Sequence, residues 1–324
     1  MNFQELEKNL NKVEQLAQAS KFQRLLHHPL RYISAQFFRT ITFPFTKKGT
    51  LRTAHTFVDY PLSILLPSGM DIYLTGGKAH DSEIRLARFL IHFFKNNAHS
   101  KDISFVDIGA HVGYFSLLAS FLIGENAKVY TFEAAKGTFD LLKKNLDNRP
   151  NIQVFHNALT DSEIDLTFYE FPVLYSEYNT LHVAQFENEK WFKKFQPMKN
   201  TVKGITLDTV FEKFNLKNAI IKIDTEGAEA QVIAGAKAVL ALQNPVIIME
   251  FLTDSNKNEG HYQAFKMLIE AGFSAYFIEK NGDLSALKNI ETYFSDKKLE
   301  SDNFVFIKNT QIGDSFTRNN LQQV

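Results

Sequence analysis

From residue 103 onward, short apolar runs alternate with amphipathic stretches of helical period. "SFVDI" leads into a glycine turn and an apolar helix that runs to Gly124, and "KVYTFE" precedes a helix through "FDLLKKNL". "NIQVFH" follows, then "AIIKID" with "AEAQVIAGAKAVLAL", and "PVIIMEF" with "YQAFKMLIEA". Continuous apolar runs suit strands covered on both faces, and their repetition with helices predicts a mostly parallel, doubly wound α/β sheet. The last two runs, "SAYFIEKNG" and "DNFVFIKN", have only a polar loop between them, which predicts an antiparallel strand pair at one side of the sheet.

Earlier in the chain, "YPLSILLPSGMDIYLTGG" reads as a hairpin turned by Pro67, Ser68 and Gly69. A helix follows, capped by Asp81 or Ser82, with Ile84, Ala87, Ile91 and Phe94 on one face. Two stretches depart from the pattern. Residues 15–58 contain no acidic side chain, while Lys21, Arg24, Arg31, Arg39, Lys47, Lys48 and Arg52 are basic, and Pro29 is expected to divide the stretch into two short helices. Residues 1–58 therefore read as a basic helical arm, and residues 59–324 as the main domain. The arm either packs its apolar face on that domain or rests on an anionic membrane or a partner. At about residues 161–205 lies an insertion dense in aromatics, among them Phe168, Tyr175, Tyr178, Phe186 and Trp191. It reads equally as a hairpin and helix capping the sheet edge or as a lid over a substrate.

Composition narrows the chemistry. Lysine plus arginine equal aspartate plus glutamate at 36 each, so no overall field points to nucleic acid. The absence of cysteine excludes disulfides, thiolate nucleophiles and cysteine-based metal sites. With no apolar leader at the start and no run near the roughly 18 apolar residues of a spanning helix, a cytoplasmic location is expected, at most peripheral to a membrane. The ten histidines are scattered without ligand spacing, so no metal site is expected; Asp208, Asp224 and Glu226 are the oxygen-donor alternative.

Four strand ends carry polar groups. Asp107, Gly109 and Gly113 form a D-x-G-x-x-x-G turn, distinct from the dinucleotide G-x-G-x-x-G, and such a turn is expected to aim backbone N–H groups at a ligand. Glu133 closes "VYTFE", where an acid suits both ribose hydroxyls of an adenosine. Asn157 can read an adenine edge, with Ala158 leaving room for the ring. "IKIDTEGAE" brings Lys222, Asp224, Glu226 and Glu229 to a strand end; Asp224 is the candidate general base, while Glu226 and Glu229 also complement the helix dipole. Together these favour an adenosine-containing cofactor. A nicotinamide-dependent oxidoreductase and a non-catalytic binding protein on the same fold are the alternatives.

The series "FVDIGAHVGYFSL", "VYTFEAAKGTFDLLKKNL", "GITLDTVFEKF", "IIKIDTEGAEAQVIAGA" and "PVIIMEF" resembles the FkbM family of S-adenosylmethionine-dependent methyltransferases, from about residue 80 to about 252 and more weakly to 308. The resemblance implies a class I methyltransferase (Rossmann-like) sheet and bound S-adenosyl-L-methionine. It also implies methyl transfer to a hydroxyl of a small-molecule or glycan acceptor: a sugar, glycan, glycolipid or secondary metabolite. By position it implies Asp107, Gly109 and Gly113 at the methionine end, with His111 in the same turn where the family usually has asparagine. Glu133 would hold the ribose, Asn157 and Ala158 the adenine, and Glu83 the methionine or the glycine turn itself. Asp224 and Glu226 would face the methyl group, and Ala134 stands where proline is usual.

Overall fold

The computed structural model describes residues 2–97, 103–123, 127–242, 245–253 and 258–308; Gly124 and Asn309 lie outside the described residues. Helix α1 (Phe3–Gln18) starts at a capping box in which Asn2 and Glu5 each bond the other's backbone N–H, and it buries Leu6, Leu10 and Val13. Helix α2 (Lys21–His27) and helix α3 (Pro29–Phe37) meet at His28, with Pro29 as the first residue of α3. A π-type turn over Phe38–Thr42 then runs straight into α4 (Phe43–Thr46).

Strands β1 (Thr50–His55) and β2 (Pro61–Leu66) pair as an antiparallel hairpin, followed by α5 (Met70–Thr75) and α6 (Asp81–Asn96). The expected hairpin is thus displaced by one element: "PLSILL" is a strand, but its partner precedes it and "MDIYLT" is helical. Gly76 at φ 82° supplies the left-handed residue that ends this turn, and the Thr75 hydroxyl donates back to the Asp71 carbonyl.

The sheet then builds through β3 (Ile103–Ile108), α7 (Tyr114–Ile123), β4 (Val129–Phe132), α8 (Lys136–Leu146) and β5 (Ile152–Phe155). A small ribbon follows, of β6 (Ala158–Leu159), β7 (Asp165–Glu170) and β8 (Met198–Ile205). The chain re-enters the sheet by α9 (Leu207–Phe214), β9 (Asn218–Ile223), α10 (Glu229–Ala234), α11 (Lys237–Leu242), β10 (Val246–Leu252) and α12 (Glu259–Glu270). It closes with β11 (Phe273–Ile278), β12 (Leu284–Ala286), α13 (Ile290–Lys297) and β13 (Ser301–Lys308).

The eight-stranded order is β12-β11-β13-β10-β9-β3-β4-β5. Strands β10, β9, β3, β4 and β5 are parallel, whereas β13 lies antiparallel between β10 and β11. This is the class I methyltransferase sheet, mostly parallel with an antiparallel pair at one side. Strand order reverses between β3 and β9, so their carboxyl ends mark the place where such sheets bind ligands. One apolar layer joins α1, α6, α7 and α8 to one face, and the other joins α9 through α13 to the opposite face.

Two local differences have simple causes. Helix α13 went unpredicted because its apolar residues, Ile290, Tyr293 and Phe294, are few and surrounded by polar ones. The single helix expected over 228–242 is divided at Gly235, where a Cβ would stand 2.1 Å from the Thr160 carbonyl oxygen in the chain between β6 and β7.

The insertion is β7 and β8 joined by an excursion with 3-10 turns at Val173–Tyr178 and Val183–Phe186. Tyr175 stacks on Trp191 at 4.1 Å between centroids, and Phe171, Tyr178 and Phe186 close around the indole. Phe195 reaches outward and stacks on Phe43 of α4 at 6.0 Å. No described helix is long and apolar enough to cross a membrane.

Candidate active site

The Asp224 N–H donates to the Ile108 carbonyl at 3.0 Å, which holds the ends of β9 and β3 together. Gly109, at φ 78°, sits in the crevice between them; a Cβ there would lie 1.7 Å from the Asp224 carbonyl oxygen. The glycine is therefore required by the approach of two strands. The turn's donors are consumed internally: the Gly109 and Ala110 N–H groups both bond the Phe132 carbonyl, and the Gly113 N–H bonds the Ala110 carbonyl. Contrary to the sequence expectation, these groups are not held out toward an anion.

His111 adopts φ 51°, a left-handed conformation that asparagine and histidine tolerate better than most residues. Its backbone N–H donates to Glu133 Oε2 at 2.8 Å, and its Nε2 lies 3.2 Å from Ser176 Oγ in the insertion. Nδ1 is buried without a partner among the described residues, and burial pulls the ring's pKa down to about 4. The imidazole is neutral near pH 7.

Glu133 is buried at the end of β4. Each carboxylate oxygen accepts one backbone N–H, from His111 and from Ala135, and each keeps a further lone pair for a ligand. Burial raises its pKa to about 7 against the pull of those two bonds. Ala158 and Asn157 continue the wall, and the Asn157 amide donates to the Lys203 carbonyl of β8 at 3.1 Å.

Beyond β9 the backbone of "DTEG" is strained, with Glu226 at φ 53° and Gly227 at φ 104°. Glu229 accepts from the Thr225 and Gly227 N–H groups, so it folds the loop. The insertion grips the loop from the other side: Thr180 Oγ1 and Gln185 Nε2 both donate to the Glu226 carbonyl, at 2.8 and 2.6 Å. Asp224, Glu226 and Glu250 of β10 then bring carboxyl oxygens within 4.8 Å of one another. Three like charges cannot all persist so close. Burial would raise Asp224, but the Lys222 ammonium, 2.8 Å away, holds it down to about 2. Burial and then the neighbouring carboxylates push Glu226 and Glu250 well above the usual carboxyl range. Asp224 is thus a fixed anion and a weak base, and Glu226 and Glu250 carry the exchangeable protons.

The opposite wall comes from α5, α6 and the segment between them. Lys78 Nζ lies 2.8 Å from Glu83 and 3.7 Å from Glu177, and these acids keep the buried ammonium charged although burial opposes it. Asp71 stands beside them, raised to about 7 by burial. Together the walls enclose a cavity of about 830 Å³, roofed by Phe168, Ser176, Glu177, Tyr178 and Phe186 of the insertion. The insertion therefore covers the site and also contributes to its walls. A second chamber of about 420 Å³ adjoins it at His111 and Ser176, with Leu141, Phe171 and Val173 in its apolar wall and Lys47 and Lys48 among its lining residues.

Of the residues singled out from the sequence, Glu83, Gly109, His111, Glu133, Asn157, Ala158, Asp224 and Glu226 line the large cavity. Asp107 and Gly113 are not in its wall. Asp107 Oδ2 accepts from Ser116 Oγ at 2.6 Å and so ties β3 to α7. A Cβ on Gly113 would meet Leu142 at 2.7 Å, so this glycine serves helix packing. Asp208 is remote from Asp224, accepting the Ala238 and Val239 N–H groups at the start of α11. Sequence reasoning missed Asp71, Lys78, Glu177 and Glu250. Only Glu250 had a readable signal, an acid interrupting "PVIIMEF" near a buried strand's carboxyl end.

The model of the methyltransferase FkbM domain matches residues 107–298. The hexuronic acid methyltransferase AglP of Haloferax volcanii is 25% identical over 203 residues, covering 62% of this chain and 75% of AglP. Among solved structures, the O-methyltransferase of Bacillus cereus in complex with SAH shares 14% identity over 69% of this chain and 80% of its own, with a TM-score of 0.37. The magnesium protoporphyrin IX methyltransferase of Synechocystis with bound SAM shares 10% identity over 86% of this chain and 96% of its own, with a TM-score of 0.35.

Proposed function

Because this chain belongs to the FkbM methyltransferase family and draws its methyl group from S-adenosylmethionine, we propose that it methylates a hydroxyl of an uncharged or amino-bearing sugar in a glycan or glycolipid. The observation that carries this reading is the charge of the wall. Among the described lining residues stand nine carboxyl side chains and one lysine, and that lysine is already engaged by Glu83 and Glu177. An anionic acceptor would meet repulsion with no free cation to receive it; sugar hydroxyls find acceptors and, in the protonated acids, donors. AglP is by name a hexuronic acid methyltransferase, so the relationship supports a sugar while this wall disfavours its carboxylate.

The residues fit the cofactor. The free lone pairs of Glu133 suit ribose hydroxyls, and Ala158 with Phe132 and Phe168 offers an apolar slot for adenine. The acid-rich end suits a cationic sulfonium and ammonium. A pyrophosphate would fit poorly, because the turn's N–H groups are already bonded; this weighs against the nicotinamide alternative.

When bound, the cofactor supplies an electrophilic methyl group, displaced in line by an oxygen nucleophile. The chain's part is chiefly to align: near-attack positioning is worth roughly 7–11 kcal/mol, and a general base adds about 10²–10⁴ in rate. Glu226 takes the hydroxyl proton in its ionised form; burial and the neighbouring carboxylates favour the protonated form, so the step draws on the ionised fraction and speeds as pH rises. Lys222 and Asp224 form the fixed charge pair beside it.

The test is transfer of labelled methyl from S-adenosylmethionine to neutral hexoses, amino sugars and hexuronates, each free and lipid-linked. Alkali-stable label on the first two classes is expected. Label confined to hexuronates, or released by mild alkali as an ester would be, would overturn the reading.

A further inference from the structure

Seven large apolar side chains between residues 22 and 45 face solvent: Phe22 and Leu26 on α2, then Leu30, Ile33, Phe37, Ile41 and Phe45 along the unbroken helical run from α3 to α4. Leu30 is 83% exposed and Phe45 85%. Within the run they recur at steps of three or four residues, which keeps them on one face, while Ala35 and Phe43 on the other side are buried against the protein. A stripe of this size on a folded surface marks a contact with something apolar.

Charge identifies the occupant. Residues 15–58 contain no acid, and Lys21, Arg39, Lys47 and Lys48 are exposed beside the stripe. A second copy of the chain meeting this face would bring like charges together with no acid from the segment to answer them. An anionic bilayer supplies both partners at once, acyl chains for the stripe and headgroups for the cations. Continuity supports the same occupant: two residues beyond Phe45, Lys47 and Lys48 line the apolar chamber that adjoins the active-site cavity.

We propose that α2, α3, the π-type turn and α4 form a docking surface that lays the enzyme on an anionic membrane. The aromatic tip, Phe45, and the α3 face enter the headgroup boundary, and the exposed lysines and arginine engage the phosphates. Buried Phe43, stacked on Phe195, anchors the segment to the insertion that roofs the active site.

Flotation of the full chain with vesicles tests this, using equal parts phosphatidylglycerol and phosphatidylcholine against phosphatidylcholine alone. The protein is expected to float with the anionic vesicles and to lose this at high salt. The double variant Leu30→Asp and Phe45→Asp should weaken vesicle binding by at least about tenfold, with S-adenosylmethionine affinity by calorimetry unchanged. Both sites are open to solvent, so the variant folds. A wild-type chain that stays at the bottom with anionic vesicles, or a double variant that floats like wild type, overturns the proposal. So does a concentration-dependent dimer in sedimentation that the same two substitutions abolish, since the stripe would then belong to a second copy.

Discussion

An alanine at position 109 would place its Cβ 1.7 Å from the carbonyl oxygen of Asp224, the residue at the opposite side of the strand crevice. Gly109→Ala is therefore expected to force β3 and β9 apart, lowering unfolding free energy by about 2–4 kcal/mol and abolishing cofactor binding. Gly113→Ala, which meets the side chains of Leu142 and Leu146, should be destabilised yet still bind cofactor. Thermal melts with calorimetric titration separate the two; a Gly109→Ala protein that melts and binds as wild type would contradict this geometry.

Glu226→Gln should reduce kcat by about 10²–10⁴ while leaving melting temperature and cofactor affinity near wild type. Asp224→Asn should behave differently, because it takes from the buried Lys222 ammonium the carboxylate 2.8 Å away, at a cost of roughly 3 kcal/mol. Undiminished turnover in Glu226→Gln would move the base role elsewhere in the trio.

Cofactor binding should depend on pH through Glu133. With its pKa raised to about 7, the carboxylate proposed to accept ribose hydroxyls forms as pH rises through neutrality, so affinity should tighten about tenfold from about pH 6 to about 8. Stability of the free protein has the opposite sign. A carboxyl whose folded pKa exceeds its unfolded value costs stability as pH rises from about 4.5, where the unfolded chain ionises, to about 7, and the contribution is level above that. Glu133→Gln should flatten the affinity profile; a profile unchanged by that substitution would assign the titration to another group.

Gln185→Ala should loosen the insertion's hold on the Glu226 carbonyl. The expected result is a rise in KM for the acceptor of about fivefold, the worth of one hydrogen bond, with cofactor affinity unaltered. Equal weakening of both ligands would show that the insertion holds the whole cavity together.

The strand and helix alternation was legible because buried parallel strands need continuous apolar runs, and Glu133 and "KIDTEGAE" were legible because they end such runs. What stayed hidden lacked any local pattern. Lys78 and Asp71 become neighbours of Glu83 only when α5 and α6 fold against the sheet, and Glu177 reaches Lys78 from across the insertion. Asp107 misled because its place in the motif resembles a ligand position, whereas its burial shows it bonded to Ser116. The charge state of Asp224 was open for a similar reason: Lys222 two residues away was visible as its possible partner, but only the fold sets their separation at 2.8 Å.

The Lys78–Glu83 pair lies ahead of residue 107, and β13, whose buried Asp302 grips Arg85 of α6 at 2.9 Å, lies beyond residue 298. A chain pared to the portion held in common with its relatives would keep the ribose and base sides and lose that ammonium and the helix that positions its partner. The shared portion is half a vessel. The flanking segments complete it, supplying the Lys78–Glu83 wall and the β13 carboxylate that holds α6 in place.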